Sequence, residues 1–278
     1  MIPNLLTIAG SDPSGGAGIQ ADLKTFSALG GYGMAVVTAL TAQNTRGVRS
    51  IHVPPATFVA DQIDAIFEDI RVDAVKIGML ATADIANAVA DALLRHRPPH
   101  IVLDPVMVAT SGHPLLAPAA IATIRERLLP MASVVTPNLP EAALLLGKVA
   151  PQDLAGMRDA AQALHRAGAR AVLIKGGHLC GTSSDDLLWD GTVEHIMSAP
   201  RLETASTHGT GCTLSSAIAV LLPPLGDLAA AVAKAKAYVT GSLQSADRLA
   251  VGSGHGPIHH FHVLWHCGDP AANESRRS

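Results

Sequence analysis

The sequence is poor in aromatic side chains. Only 3% of its 278 residues are Phe, Trp or Tyr, so a core must be built from Ala, Val, Leu and Ile rather than from rings. Charge is scarce too, at 15% of residues against 48% hydrophobic. That balance excludes a disordered chain and supplies apolar surface for a sizeable core. No block of Lys and Arg precedes Arg276-Arg277, and the formal net charge is −3. Nucleic acid and anionic membranes, which need clustered positive charge, are therefore not expected as partners. No apolar run approaches the ~18 residues of a membrane span, and Met1-Ile2-Pro3-Asn4 lacks the basic opening of a signal peptide. Three cysteines, Cys180, Cys212 and Cys267, form no CxxC pair and leave an odd thiol, which points to a reduced, cytoplasmic setting. The absence of any G-x-S-x-G sets aside a serine hydrolase built on a nucleophile elbow.

What is present is an alternation of short apolar runs with longer amphipathic ones, the pattern of repeated β-α units. Strands are expected at Leu5 to Ala9, Ala35 to Leu40, Ala74 to Ile77, His100 to Leu103, Ser133 to Val135 and Ala171 to Ile174. Their near-continuous β-branched character suits a mostly parallel sheet covered on both faces. The clearest helix follows Pro54-Pro55, with Val59, Ile63, Ile66, Phe67 and Ile70 on one stripe. A hairpin is expected around Asp190-Gly191, and two helices at Cys212 to Leu222 and Leu228 to Gln244. With no repeat and no linker, residues 1–267 read as one α/β domain and 268–278 as a disordered polar tail.

Ligands of open α/β sheets gather at the carboxyl ends of the strands. His208-Gly209-Thr210-Gly211-Cys212 opens a helix of small residues, so its glycines expose backbone N–H groups where the helix dipole also favours an anion. Cys212 stands where such a helix lowers a thiol pKa. Read alone, the same segment is equally a glycine-rich helix start with a buried, inert cysteine. Gly16-Ala17-Gly18-Ile19-Gln20-Ala21 fits G-x-G-x-x-A. The strand ends several residues too early for a dinucleotide turn, however, and no acidic residue follows the second strand. An oxidoreductase is therefore disfavoured.

Gln43 lies shortly after the second strand, in the expected ligand crevice, and its amide offers an acceptor and donors in one plane, although a loop glutamine usually points into solvent. Met79 and Val106 are apolar residues that would wall a ligand or simply pack the core. Asp104 ends one strand, and Asn138 and Glu141 sit three apart after another, hard oxygen ligands of the kind magnesium takes. Lys175 ends its strand ahead of Gly176-Gly177, within reach of phosphates or of solvent. His255, His259, His260, His262, His266 and Cys267 invite a zinc reading, but no four of them stand out as ligands. Packing and surface histidines are the expectation.

Gly209-Thr210-Gly211-Cys212 resembles the anion-hole signature of ribokinase-like enzymes, in which the fourth position is usually an Asp base. A cysteine there resembles the hydroxymethylpyrimidine/phosphomethylpyrimidine kinases of thiamine biosynthesis in particular. The resemblance runs from Ile8 to about His262 through 9-AGSDPSGGAG-18, 41-TAQNT-45, 76-KIGML-80, 104-DPVM-107, 136-TPNLPE-141, 175-KGGH-178 and 254-GHGP-257. It implies a three-layer αβα fold and two successive ATP-dependent transfers, from hydroxymethylpyrimidine to its monophosphate and then its pyrophosphate. It implies Cys212 as base in an anion hole of Gly209, Thr210 and Gly211. Substrate contacts would come from Gln43, Gly10, Asp22, Met79 and Val106. ATP would meet Lys175, Asn138, Gly209 and Gly211, and Mg²⁺ would meet Asp104 and Glu141, commonly through water. The partners implied are small molecules and a second copy of the chain, as a homodimer. Pyridoxal-type alcohols are the alternative acceptor, and a catalytically idle nucleotide-binding domain is the rival of a different class. His113 follows Ser111-Gly112 where relatives commonly carry an acidic residue.

Overall fold

The structure is a computed structural model that describes residues 1–108, 115–177, 179 and 181–265. The readings made on Ser111-Gly112-His113, His178, Cys180, His266, Cys267 and residues 268–278 lie outside the described residues.

The first strand shows how the sheet is layered. In β1 (Asn4–Gly10), Leu6 and Ile8 face one helical layer and Leu5 the other, all without solvent exposure. The same alternation recurs in the strands β4 (Ala74–Ile77), β5 (Ile101–Leu103), β6 (Val134–Val135) and β7 (Val172–Ile174). Together with β2 (Tyr32–Asn44) these pair in parallel in the order β2-β1-β4-β5-β6-β7. An antiparallel strand β3 (Gly47–His52) extends one edge, and the hairpin of β8 (Asp186–Trp189) and β9 (Glu194–Met197) extends the other. The described residues thus form one nine-stranded sheet.

One face carries α2 (Ala56–Asp69), α3 (Ala83–His96), α4 (Pro118–Thr123), α5 (Leu139–Leu146) and α6 (Leu154–Arg166), and the larger core lies beneath them. The other carries α1 (Gly18–Ala28), α7 (Thr210–Leu225) and α8 (Leu228–Gln244) over a second core. This is the expected three-layer αβα arrangement. Val59 and Ile63 of the α2 stripe are fully buried, with Ile66, Phe67 and Ile70 packed beside them. At the β8–β9 turn, Asp190 Oδ1 accepts from the amides of Thr192 (2.8 Å) and Val193 (2.7 Å), so the Asp-Gly hairpin forms where the sequence put it. The helix expected to stop at Leu222 runs on to Leu225 through Pro223 and Pro224, which sit in its last turn.

Two expectations change. The second strand reaches Asn44, not Leu40, because beyond the parallel sheet it turns into a hairpin with β3. A register shift falls between Ala42 and Gln43. Gln43 is therefore on a strand, in a flap over the carboxyl ends of β1 and β4, rather than in a loop. Polar, half-exposed residues give such a flap no period-2 signal to read.

Candidate active site

Cys212 and Gln43 line one cavity of about 670 Å³ at the carboxyl ends of the parallel strands. At one end is the start of α7. Gly209 has φ of 81° and a Cβ there would lie 1.8 Å from Gly16 O, so only glycine fits. No side chain caps this helix. Among the described residues the amides of Gly211 and Cys212 have no partner, which leaves two donors and the helix dipole aimed into the cavity. Thr210 is committed elsewhere, its hydroxyl donating to Thr207 O at 2.7 Å.

Lys175 brings charge to this turn. It follows β7 and pairs with Asn138 across an isolated bridge. Its ammonium lies 2.9 Å from Asp104 Oδ1 and 3.7 Å from Glu141 Oε2. A Cβ on Gly211 would sit 3.2 Å from that nitrogen, so the missing side chain lets the lysine reach the anion turn. Asp104 also accepts from Ser215 Oγ (3.2 Å) and Thr136 Oγ1 (3.3 Å). Burial works against its ionisation, but Lys175, Lys76 and these hydrogen bonds hold it below the usual carboxylate range. Glu141 is pushed the other way by burial, with Asp104 adding to the effect and Lys175 only partly offsetting it. For Lys175 burial disfavours the charge, yet the two carboxylates keep its pKa above that of a free lysine.

Asn138 and Glu141 do face one another, as a capping box. Asn138 N donates to Glu141 Oε2 (2.8 Å) and Glu141 N to Asn138 Oδ1 (2.9 Å). Glu141 Oε1 has no protein partner among the described residues. The donor set suits Mg²⁺ held through water and phosphate oxygens. Asp104 and Glu141 are therefore the residues that would hold the ion, which would neutralise phosphate charge when bound.

The other end is apolar. Gly10, Met79, Val106 and Leu115 line it beneath the flap, with Ala39, Ala81 and Ile51 behind. Gln43 Oε1 lies 3.3 Å from Thr41 Oγ1 and Gln43 Nε2 lies 3.5 Å from His208 Nε2. The hydroxyl has a shorter contact at Ser11 O (2.9 Å), and the imidazole one at Asp12 Oδ2 (2.7 Å). Both partners of the Gln43 amide are thus engaged more closely elsewhere.

Two sequence-based expectations differ from the structure. Asp22, expected to touch the substrate, stands behind the cavity wall. It is fully buried and absent from the cavity wall, its carboxylate accepting from Thr7 Oγ1 (2.6 Å), Ser216 Oγ (2.7 Å) and Lys76 Nζ (2.9 Å to each oxygen). Nor does the helix lower the Cys212 thiol. Burial outweighs the Lys76 charge and the Gly18 amide and pushes it up to about 11, with Asp22 and Asp104 adding to the rise. Asp12 and His208 were not singled out. Burial raises the Asp12 pKa, but hydrogen bonds from His208, Ser14 and Ala17 bring it down to about 2. As a carboxylate it accepts from His208 Nε2, Ser14 Oγ (2.6 Å) and Ala17 N (2.8 Å), fastening the glycine loop to the anion turn. The signal was available, since Asp12 follows β1 as closely as the chosen residues follow their strands. Of the C-terminal histidines, His259 and His260 are buried, and burial takes His260 down to about 3 beside Thr213 Oγ1.

Unpartnered amides at a helix start opposite an apolar, amide-edged pocket are what a ribokinase-like small-molecule phosphotransferase would need. Residues 12–259 match the family described as Phosphomethylpyrimidine kinase. The hydroxymethylpyrimidine/phosphomethylpyrimidine kinase of Escherichia coli K12 is 54% identical over 94% of this chain and 98% of its own length. Among solved structures, a Clostridium difficile phosphomethylpyrimidine kinase gives a TM-score of 0.76 at 41% identity, over 86% of this chain and 98% of that one. Staphylococcus aureus pyridoxal kinase in complex with AMP-PCP and pyridoxal gives 0.87 at 33%, over 95% of each. The chain belongs to the phosphomethylpyrimidine kinase family. It is a phosphotransferase acting on hydroxymethylpyrimidine and its phosphate in thiamine biosynthesis.

Proposed function

We propose that the two transfers run in the one cavity, with ATP's terminal phosphate at the Gly211 and Cys212 amides and the pyrimidine held by Gln43 between Met79 and Val106. Gly10 completes the floor of the acceptor pocket, and Asn138 and Lys175 flank the phosphates. Mg²⁺ at Asp104 and Glu141 would offset phosphate charge. In the first transfer Cys212, as thiolate, takes the hydroxymethyl proton while the new O–P bond forms and the bond to ADP breaks. Lys175 and the two amides hold the phosphoryl group as it crosses. The second acceptor is a phosphate already ionised at neutral pH, its second pKa being about 6, and needs no base. The observation that carries this reading is the pair of unpartnered amides sharing a cavity with Gln43.

Cys212→Ala is expected to slow the first transfer about 10²- to 10⁴-fold, the usual worth of a general base, and the second far less. Single-turnover rates with each acceptor test this, and equal losses would remove Cys212 as the base. Mass analysis of products from hydroxymethylpyrimidine, Mg²⁺ and ATP tests the activity itself. Pyridoxal remains a second acceptor to assay side by side, because pyridoxal kinases share the fold at a TM-score of 0.87. The reading includes a single kinase domain over residues 1–267 and a cytoplasmic homodimer that engages small molecules rather than nucleic acid or membrane. The low charge and the family resemblance support it, and sedimentation checks the dimer.

A further inference from the structure

Lys76 is a charged group of the cavity wall that the mechanism leaves unused. It ends on β4, has no solvent exposure, and its ammonium donates to both oxygens of Asp22 at 2.9 Å. Asp22 accepts further from Thr7 Oγ1 on β1 and Ser216 Oγ on α7. That carboxylate is saturated, whereas the ammonium, with three N–H groups, has one left over, and Lys76 borders the cavity. Ser216 stands four residues after Cys212, so both project from the same face of α7. The thiol is therefore stacked one helical turn above the hydroxyl that fastens α7 to the ion pair. The charged groups acting on Cys212 include Lys76 from β4, Asp22 from α1 and Asp104 after β5, with the Gly18 amide besides, and Lys175 after β7 interacts with the thiol as well. Of the two lysines only Lys76 has no solvent exposure.

We propose that Lys76 is a positioning residue for the alcohol-phosphorylating step, a buried positive charge fixed beneath Cys212 that balances the negative charge the thiol carries when it acts as base. The inference rests on the reading of Cys212 given above and adds to it the source of the compensating charge. Asp22, Thr7 and Ser216 hold the ammonium in place, and Lys76 itself neither gains nor loses a proton. The pairing explains why a lysine is buried in a wall where an apolar residue would pack as well.

The test uses the whole chain and compares the two transfers in each variant. Lys76→Met alone strands a buried carboxylate, so it is combined with Asp22→Asn, which keeps the shape and the partners of Thr7 and Ser216. The pair of changes is expected to lower the first transfer about 10-fold, less than the loss of a lone opposite charge because the opposing Asp22 charge goes with it, while the second stays within a few-fold of wild type. The ratio of the two rates in one preparation does not depend on how much of it is folded, so a poorly folding variant still answers. Added to Cys212→Ala, the same two changes are expected to cost the first transfer nothing more. Equal losses in both transfers, or an additive loss on top of Cys212→Ala, would overturn the role of Lys76. If Cys212→Ala alone fails to separate the two transfers, the base assignment falls instead, and the two failures are distinguishable.

Discussion

Two lysines at the carboxyl ends of parallel strands each hold an aspartate, and their surroundings make them different devices. Lys76 and Asp22 are both wholly buried, and the carboxylate is filled by four hydrogen bonds from three side chains. Lys175 keeps 15% of its side chain exposed and is shared between Asp104 and Glu141, one oxygen of which is still unpartnered. The carboxylate of the first pair is filled without a ligand. The second pair is incomplete, so a phosphate or a hydrated cation would have something to bind. A sealed pair would act through its neighbours, and an open one directly on a ligand.

Removing one partner should separate the two pairs most clearly. Lys76→Met leaves an uncompensated buried charge and is expected to destabilise the fold by about 3–5 kcal/mol. Lys175→Met, with water at hand, should cost far less stability but about 100-fold in both transfers, as loss of one preorganised donor does. Urea unfolding alongside steady-state rates checks both. A Lys76→Met protein as stable as wild type would erase the distinction.

The pH dependence sharpens it. A thiol held near 11 is almost entirely protonated at neutral pH, so the base form grows as pH rises. The first transfer is expected to accelerate about tenfold per unit between about pH 7 and 10. The second should be flat over the same range, its acceptor having ionised near pH 6. Cys212→Asp, carrying a base ionised throughout, should make the first transfer flat as well. Identical profiles for both acceptors in the native chain would contradict the assignment.

Acid should also loosen the glycine loop. Asp12 falls from its ordinary 3.8 to about 2 in the folded chain. A depressed folded pKa gives stability that is present above the unfolded value and is lost as pH drops through the folded one. The window is therefore about pH 4 to 2, and the amount is about 2 kcal/mol. Asp12→Asn should flatten that part of the stability profile. An unchanged slope between those limits would mean the His208 contact contributes nothing.

How much of this the sequence disclosed depends on whether a residue's role is local. The Gly209 turn, the Asp190-Gly191 hairpin and the α2 stripe are written in neighbouring residues, and all three formed as read. The flap was missed because β2 and β3 pair outside the core, where polar residues carry no alternation. The ion pair of Asp22 was not legible because its partners lie 15, 54 and 194 residues away, and a carboxylate in a helix looks the same whether it meets substrate or lysine. The thiol was misjudged because a helix terminus is visible in sequence and burial is not. Asp12 and His208 meet across 196 residues, a contact no spacing rule reaches.

The smallest effect probes the open pair from the side. Asn138 caps α5 through the Glu141 amide, and Glu141 returns a bond to the Asn138 backbone. Asn138→Ala removes one half of this box and is expected to cost about 1 kcal/mol of stability, the ordinary worth of such a cap. The Glu141 bond to the backbone amide survives the change, so Lys175 keeps both carboxylates within reach and the transfers should fall only a few-fold. Glu141→Gln is the counterpart. It removes charge at the open pair while keeping an oxygen able to accept from the Asn138 amide. If Glu141 serves the phosphates rather than only the helix, Glu141→Gln should slow both transfers more than Asn138→Ala while unfolding at a higher urea concentration. The reverse ranking would make Glu141 a capping residue and leave Asp104 as the sole carboxylate for the cation.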